Sequence, residues 1–129
     1  MKKLLAFAFV SALLLNASRA EAGMKYESAY CYRAADLSGY CYGTMRGFRM
    51  STDPNASANF QITSNGGAGF QANWGGGKPM TCTAPAGSPV AALWPIAMSN
   101  EGYFQINWSA AGECNYLVIG NGSAYRDTW

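Results

Sequence analysis

Phe70-Gln71-Ala72-Asn73-Trp74 and Phe104-Gln105-Ile106-Asn107-Trp108 lie 34 residues apart and differ only at their middle position. At the same offset Phe60 aligns with Trp94 and Ile62 with Ile96, while Ser64-Asn65 and Ser99-Asn100 open the turn before each copy. Each copy then passes through a small-residue loop, Gly75-Gly76-Gly77 or Ala110-Ala111-Gly112, to a cysteine, Cys82 or Cys114. A repeat of this period means one supersecondary unit used twice. Within each copy the alternation is that of a strand. Phe70, Ala72 and Trp74 share one face and Gln71 and Asn73 the other, and the second copy repeats the division.

Around these strands the turn signals fall at short intervals. Phe60 and Ile62 alternate with Gln61 and Thr63, and Asn65-Gly66-Gly67 supplies the positive φ of a hairpin turn. A third strand is expected from Met80 to Thr83, followed by a Pro/Gly/Ser linker from Ala84 to Pro89. The second copy predicts strands over Ala92 to Met98, Tyr103 to Trp108 and Cys114 to about Ile119. Pro95 would make the first of these an edge strand or a bulged one. Asn121-Gly122 then turns the chain into a return strand from Ser123 to Trp129.

The fold class that follows is mainly β. It is a small antiparallel domain, a sandwich or an open barrel, built from two three-stranded repeats at about 58–84 and 92–119. A disulfide-bonded segment precedes them. There Leu37, Cys41, Met45 and Phe48 fall at helical spacing behind Asp36 as a cap, while Tyr40, Tyr42, Thr44 and Phe48 permit a strand. Gly39, Gly43 and Gly47 each cost a helix about 1 kcal/mol, yet the reading favours a short helix. A β-trefoil is the alternative. It needs a third copy before residue 58, where only Tyr30-Cys31-Tyr32 and Tyr40-Cys41-Tyr42 offer fragments.

Lys2 and Lys3, an apolar run from Leu4 to Leu15 and the small-residue end Ala20-Glu21-Ala22 read as a secretory signal peptide. The run is too short to span a bilayer. Residues 23–129 then form one exported domain, secreted or periplasmic, with no stable membrane insertion. Removing Lys2, Lys3, Arg19 and Glu21 leaves six basic and six acidic side chains, so the formal +2 falls to zero. A neutral surface argues against nucleic acid as a partner, which requires clustered Lys and Arg.

Four cysteines in an exported domain read as two disulfides. Three pairings are open, and Cys31–Cys41 with Cys82–Cys114 is favoured. The first pair flanks one short connection, and the second occupies equivalent places in the two repeats. Loop-closure entropy makes them worth about 3 and about 4 kcal/mol.

The chain contains no histidine. That removes His-dependent nucleophiles and bases and most zinc sites, and no C-x-x-C is present, so neither a metal nor a cofactor is expected. The remaining carboxylates, Glu27, Asp36, Asp53, Glu101, Glu113 and Asp127, show no spacing that singles out a pair. The domain therefore reads as a non-catalytic binding protein. Gln61, Thr63, Gln71, Asn73, Gln105 and Asn107 would form one uncharged amide and hydroxyl face able to donate and accept hydrogen bonds. Trp94, beside Pro95, would be an exposed ring. Such a surface suits a glycan or an extracytoplasmic partner protein. The alternatives are a periplasmic inhibitor or immunity protein acting through a loop (Ser64 to Gly69, Trp74 to Lys78 or Ala84 to Pro89), and a structural component of a surface assembly. Asn55-Ala-Ser, Asn107-Trp-Ser and Asn121-Gly-Ser also fit glycosylation acceptors. Intact-mass measurement of protein from the extracytoplasmic fraction should give residues 23–129; retention of Met1 to Ala22 there would overturn the leader.

Overall fold

Inward-facing aromatics from the two copies meet, and this contact sorts the strands into two sheets. The computed structural model describes residues 28–77, 79–122 and 124–125. The leader lies outside them, as does all but residues 124 and 125 of the return strand expected over Ser123 to Trp129. In chain order the elements are β1 (Ala29–Arg33), β2 (Gly39–Thr44), α1 (Met45–Arg49), β3 (Ser57–Ile62), β4 (Ala68–Asn73), β5 (Met80–Ala84), α2 (Pro89–Ser99), β6 (Tyr103–Trp108) and β7 (Cys114–Gly120). One antiparallel sheet has the order β1-β2-β6-β7 and the other β3-β4-β5. The barrel is not closed, and seven strands in two sheets replace the trefoil alternative.

β4 buries Ala68, Phe70 and Ala72, and β6 buries Phe104, Ile106 and Trp108. The two sheets lay these faces against each other as a sandwich. Phe60 packs its ring 5.0 Å from Phe70, 5.1 Å from Phe104 and 5.2 Å from Trp94, and Phe70 lies 5.8 Å from Phe104. The last three are edge-on contacts, each worth about 0.5–1.5 kcal/mol beyond the area it buries.

Both expected disulfides are present, in keeping with an oxidising, extracytoplasmic environment. Cys31 and Cys41 are direct partners in the β1–β2 register. Cys82–Cys114 joins β5 to β7 and so crosses from one sheet to the other. Beside it the Thr83 N–H donates to the Gly112 carbonyl at 2.9 Å. The hairpin turn at Asn65-Gly66-Gly67 also forms, with the Thr63 N–H donating to the Gly67 carbonyl at 2.9 Å.

The strand expected over Ala92 to Met98 is instead helix α2. Ser88 caps it, its hydroxyl accepting the Ala91 N–H at 3.1 Å, and Pro89 occupies the first turn, where its missing N–H costs nothing. Val90, Trp94 and Ala97, at helical spacing, are its buried residues. The place beside β6 belongs to β2, which pairs Tyr40 with Asn107, Cys41 with Ile106 and Tyr42 with Gln105. The second repeat is therefore α2-β6-β7, completed by a strand from the N-terminal segment.

The 36–49 segment divides where a single helix was favoured. Gly39–Thr44 is strand, and only Met45–Arg49 is helix, started by the Thr44 hydroxyl accepting the Gly47 N–H at 2.8 Å. Asp36 caps no helix. Its carboxylate accepts the Ser38 hydroxyl at 2.6 Å and the Ser38 N–H at 3.1 Å in the β1–β2 turn. Ile62, expected to point inward with Phe60, is exposed at the end of β3.

Gly39 is held by close approach. A Cβ there would sit 2.6 Å from the Trp108 ring and would also strike the Tyr32 carbonyl oxygen. On the outer face of β4, a Cβ at Gly69 would have nothing nearer than 3.5 Å. Gly39→Ala should therefore cost about 1–3 kcal/mol in chemical denaturation, whereas Gly69→Ala should stay within about 0.5 kcal/mol.

Candidate binding face

Strand register carries the outward side chains of the four-stranded sheet into two rows. One runs Tyr32, Tyr40, Asn107, Tyr116, and the next Tyr30, Tyr42, Gln105, Val118. The alternation that sends Cys31, Cys41, Phe104 and Ile106 inward sends these residues out. The tyrosines hold one another: ring centroids are 5.7 Å apart for Tyr30–Tyr42 and for Tyr32–Tyr40, and 6.3 Å for the stacked pair Tyr40–Tyr42. Trp74, just beyond β4, meets Tyr30 edge-on at 6.0 Å. At another margin Tyr103 packs 5.5 Å from Tyr125.

Tyr32 and Tyr116 are 47% and 46% exposed, which leaves both side chains accessible to a ligand. Tyr40, Tyr42, Gln105 and Asn107 are half-buried among them. The Gln105 side-chain amide donates to Asn107 Oδ1 at 3.3 Å. That leaves the pair a free NH2 on Asn107 and a free carbonyl on Gln105. Neither row contains a charged residue. In the β1–β2 turn, the hydroxyl and N–H of Ser38 hold the exposed Asp36 carboxyl below its usual range.

The sequence-derived binding residues do not form one face. Gln105 and Asn107 belong to the tyrosine face. Gln61, Gln71 and Asn73 lie on the outer face of the three-stranded sheet, where Gln71 pairs with Asn59 and Thr81, and Asn73 donates to the Ser57 hydroxyl at 2.9 Å. Since the sheets bury their aromatic sides against each other, identical alternation in the two copies points their amides in opposite directions. Thr63 lies beyond β3, its hydroxyl bonded to Asn65 Oδ1 and the Gly67 carbonyl inside the hairpin turn. Trp94 is 1% exposed, and its indole N–H donates to the Gln61 carbonyl at 3.0 Å, so it is a core residue.

The tyrosines were the residues that amide patterning overlooked. Their signal is Tyr-Cys-Tyr, twice: a disulfide turned inward forces both flanking rings outward on each strand.

Asp36, Asp53, Glu101 and Glu113 fall in four different connections, and Glu27 and Asp127 lie outside the described residues. Asp53 acts structurally, accepting the Asn55 N–H at 2.9 Å and the Gly75 N–H at 2.6 Å. Among the described residues no group of three or more His, Cys, Asp or Glu is placed to hold a metal ion, and no helix is long and apolar enough to cross a membrane. No protein-family model, curated protein or solved structure matches the chain.

Exposure separates the roles of these aromatics. Trp94→Ala should cost about 3–5 kcal/mol. Tyr116→Ala, which removes one cross-strand neighbour at the surface, should cost less than about 1 kcal/mol. Urea denaturation of both variants checks the ranking.

Proposed function

We propose that the protein is an exported, non-catalytic binding module that takes an extracytoplasmic glycan or partner protein on the tyrosine–amide face. The observation that carries this reading is the pair of outward rows, in which five tyrosines surround Gln105 and Asn107 without a charge. Tyrosine offers large contact area with few rotatable bonds and a hydroxyl at its tip, so little side-chain entropy is lost on binding. The strands beneath are tied by Cys31–Cys41 and by the sheet-crossing Cys82–Cys114, which favours a surface already in its bound shape. The absence of histidine, the oxidised cysteines and the scattered carboxylates support recognition over catalysis.

A second reading, an inhibitor that docks on a target protein, is favoured by α2. That helix carries no charge over eleven residues and exposes Leu93, Ile96 and Met98. Exposed apolar surface of this kind marks protein contact sites.

Capture from cell-envelope extract onto immobilised residues 23–129 tests both. The Tyr32→Ala/Tyr116→Ala double variant should lose its ligand, and Leu93→Asp/Ile96→Asp should retain it. The reverse pattern would establish the inhibitor reading. Because the two rows hold no charged residue, capture should change less than about two-fold between low salt and about 0.5 M. A steep fall with salt would overturn the assignment.

A further inference from the structure

We propose that the ligand of the tyrosine face is a neutral, unbranched polysaccharide in an extended, β-1,4-type conformation, lying across the strands along the row Tyr32, Tyr40, Asn107 and Tyr116. This rests on the binding reading above and assigns its ligand class.

Three observations carry it. The first is charge: among the described residues neither row holds an ionised side chain, so the rows themselves offer no charged partner to a phosphate, sulfate, carboxylate or basic peptide. A neutral polyol is the complementary class. The second is the chemistry at the centre. Asn107 and Gln105 still present one NH2 and one carbonyl between flanking rings. Sugar hydroxyls both donate and accept and so satisfy both groups at once. A proline-rich peptide, the other extended ligand of aromatic surfaces, brings carbonyl acceptors but offers an N–H only at its non-proline positions, whereas every sugar unit brings several hydroxyl donors.

The third is spacing. Tyr40 on β2 and Tyr116 on β7 stand two strands apart, about 9.6 Å at the usual inter-strand distance, with Asn107 on β6 between them. An extended β-1,4 chain turns each sugar over relative to the last, so sugars i and i+2 show the same apolar face. Two pyranose units span about that two-strand step. Tyr40 and Tyr116 then stack on alternate sugars, and Asn107 bonds the hydroxyls of the unit between. Tyr32, 5.7 Å from Tyr40, lengthens the row by one subsite. The row defines four positions, one for each strand of the sheet.

Calorimetric titration of residues 23–129, with both disulfides formed and Asn107 shown to be unmodified by intact mass, provides the test. The probes are β-1,4-linked gluco-, xylo- and N-acetylglucosamine oligosaccharides of increasing length, with α-1,4-linked glucose oligomers for comparison. Affinity for at least one β-1,4 series should rise about ten-fold between the disaccharide and the tetrasaccharide and then level off. Tyr40→Ala and Tyr116→Ala should each weaken binding about ten-fold, with most of the loss recovered in Tyr40→Phe and Tyr116→Phe. Gln71→Ala, on the opposite sheet, should change nothing.

Equal affinity for disaccharide and tetrasaccharide, or equal affinity for the α-1,4 oligomers, would overturn the extended-chain geometry. If no neutral oligosaccharide binds while envelope capture is still lost in Tyr32→Ala/Tyr116→Ala, the ligand assignment fails and the binding face stands. If neither titration nor capture responds to the tyrosines, both fail.

Discussion

The packing of Phe70 against Phe104 is the contact on which the remaining architecture depends. These residues hold equivalent places in the two copies, and they meet at 5.8 Å across the core. Phe60 and Trp94, also equivalent by sequence offset, meet at 5.2 Å, and Cys82 and Cys114 are bonded. When equivalent residues contact one another, the matching strands β4 and β6 face each other across the core, much as equivalent patches meet in an isologous dimer, although their preceding elements, β3 and α2, differ. A small chain thereby obtains a core from one motif used twice. It also has to turn the polar sides of its central strands away from each other.

That opposition decides which surfaces are available for recognition. The outer side of the three-stranded sheet has short polar groups, Ser57, Asn59, Gln71, Asn73 and Thr81. The outer side of the four-stranded sheet has rings. The difference arises from the N-terminal hairpin, whose inward positions are small or bonded (Ala29, Cys31, Gly39, Cys41 and Gly43) except for Arg33 at its end, whose guanidinium reaches the Pro79 carbonyl. With little bulk to bury inward along most of their length, β1 and β2 place their four tyrosines on the outer side, where the rings pack at a tilt across the strands and Tyr40 stacks on Tyr42 along β2. Gly43, at φ 143°, lies where any Cβ would strike the Ser28 backbone, so side-chain volume is excluded on the inner side there.

The parts of this structure that were legible in the sequence are those governed by short-range rules. Period-two alternation placed β4, β6 and the buried Phe70, Phe104 and Trp108 correctly, and glycine turn chemistry located the β3–β4 hairpin. Cysteine spacing gave both disulfides. The misreadings came from long-range competition. Ala92 to Met98 resembled a strand because the repeat placed it under β3, and the Ser88-Pro89 helix start before Ala91-Ala92-Leu93 was outweighed by that analogy. No local rule reveals that β2 takes the position beside β6, since the paired residues lie 59 to 69 positions apart. The candidate face divided for a related reason. Alternation tells which side chains share a strand face, whereas the relative orientation of two sheets is a property of the assembled core. Trp94 looked accessible beside a proline, yet the helix rotates it under Phe60.

The exchange of β3's counterpart for β2 has a consequence for assembly. In the first copy the central strand receives its neighbour from within the same repeat; in the second the neighbour is a loan from the start of the chain. The N-terminal hairpin is thus a donated element, and β6 is an acceptor groove whose backbone hydrogen bonds it fills. Because the loan comes from residues 59 to 69 positions away, the four-stranded sheet and its tyrosine surface are completed only by closing a long loop, a cost the three-stranded sheet, built from consecutive strands, does not carry.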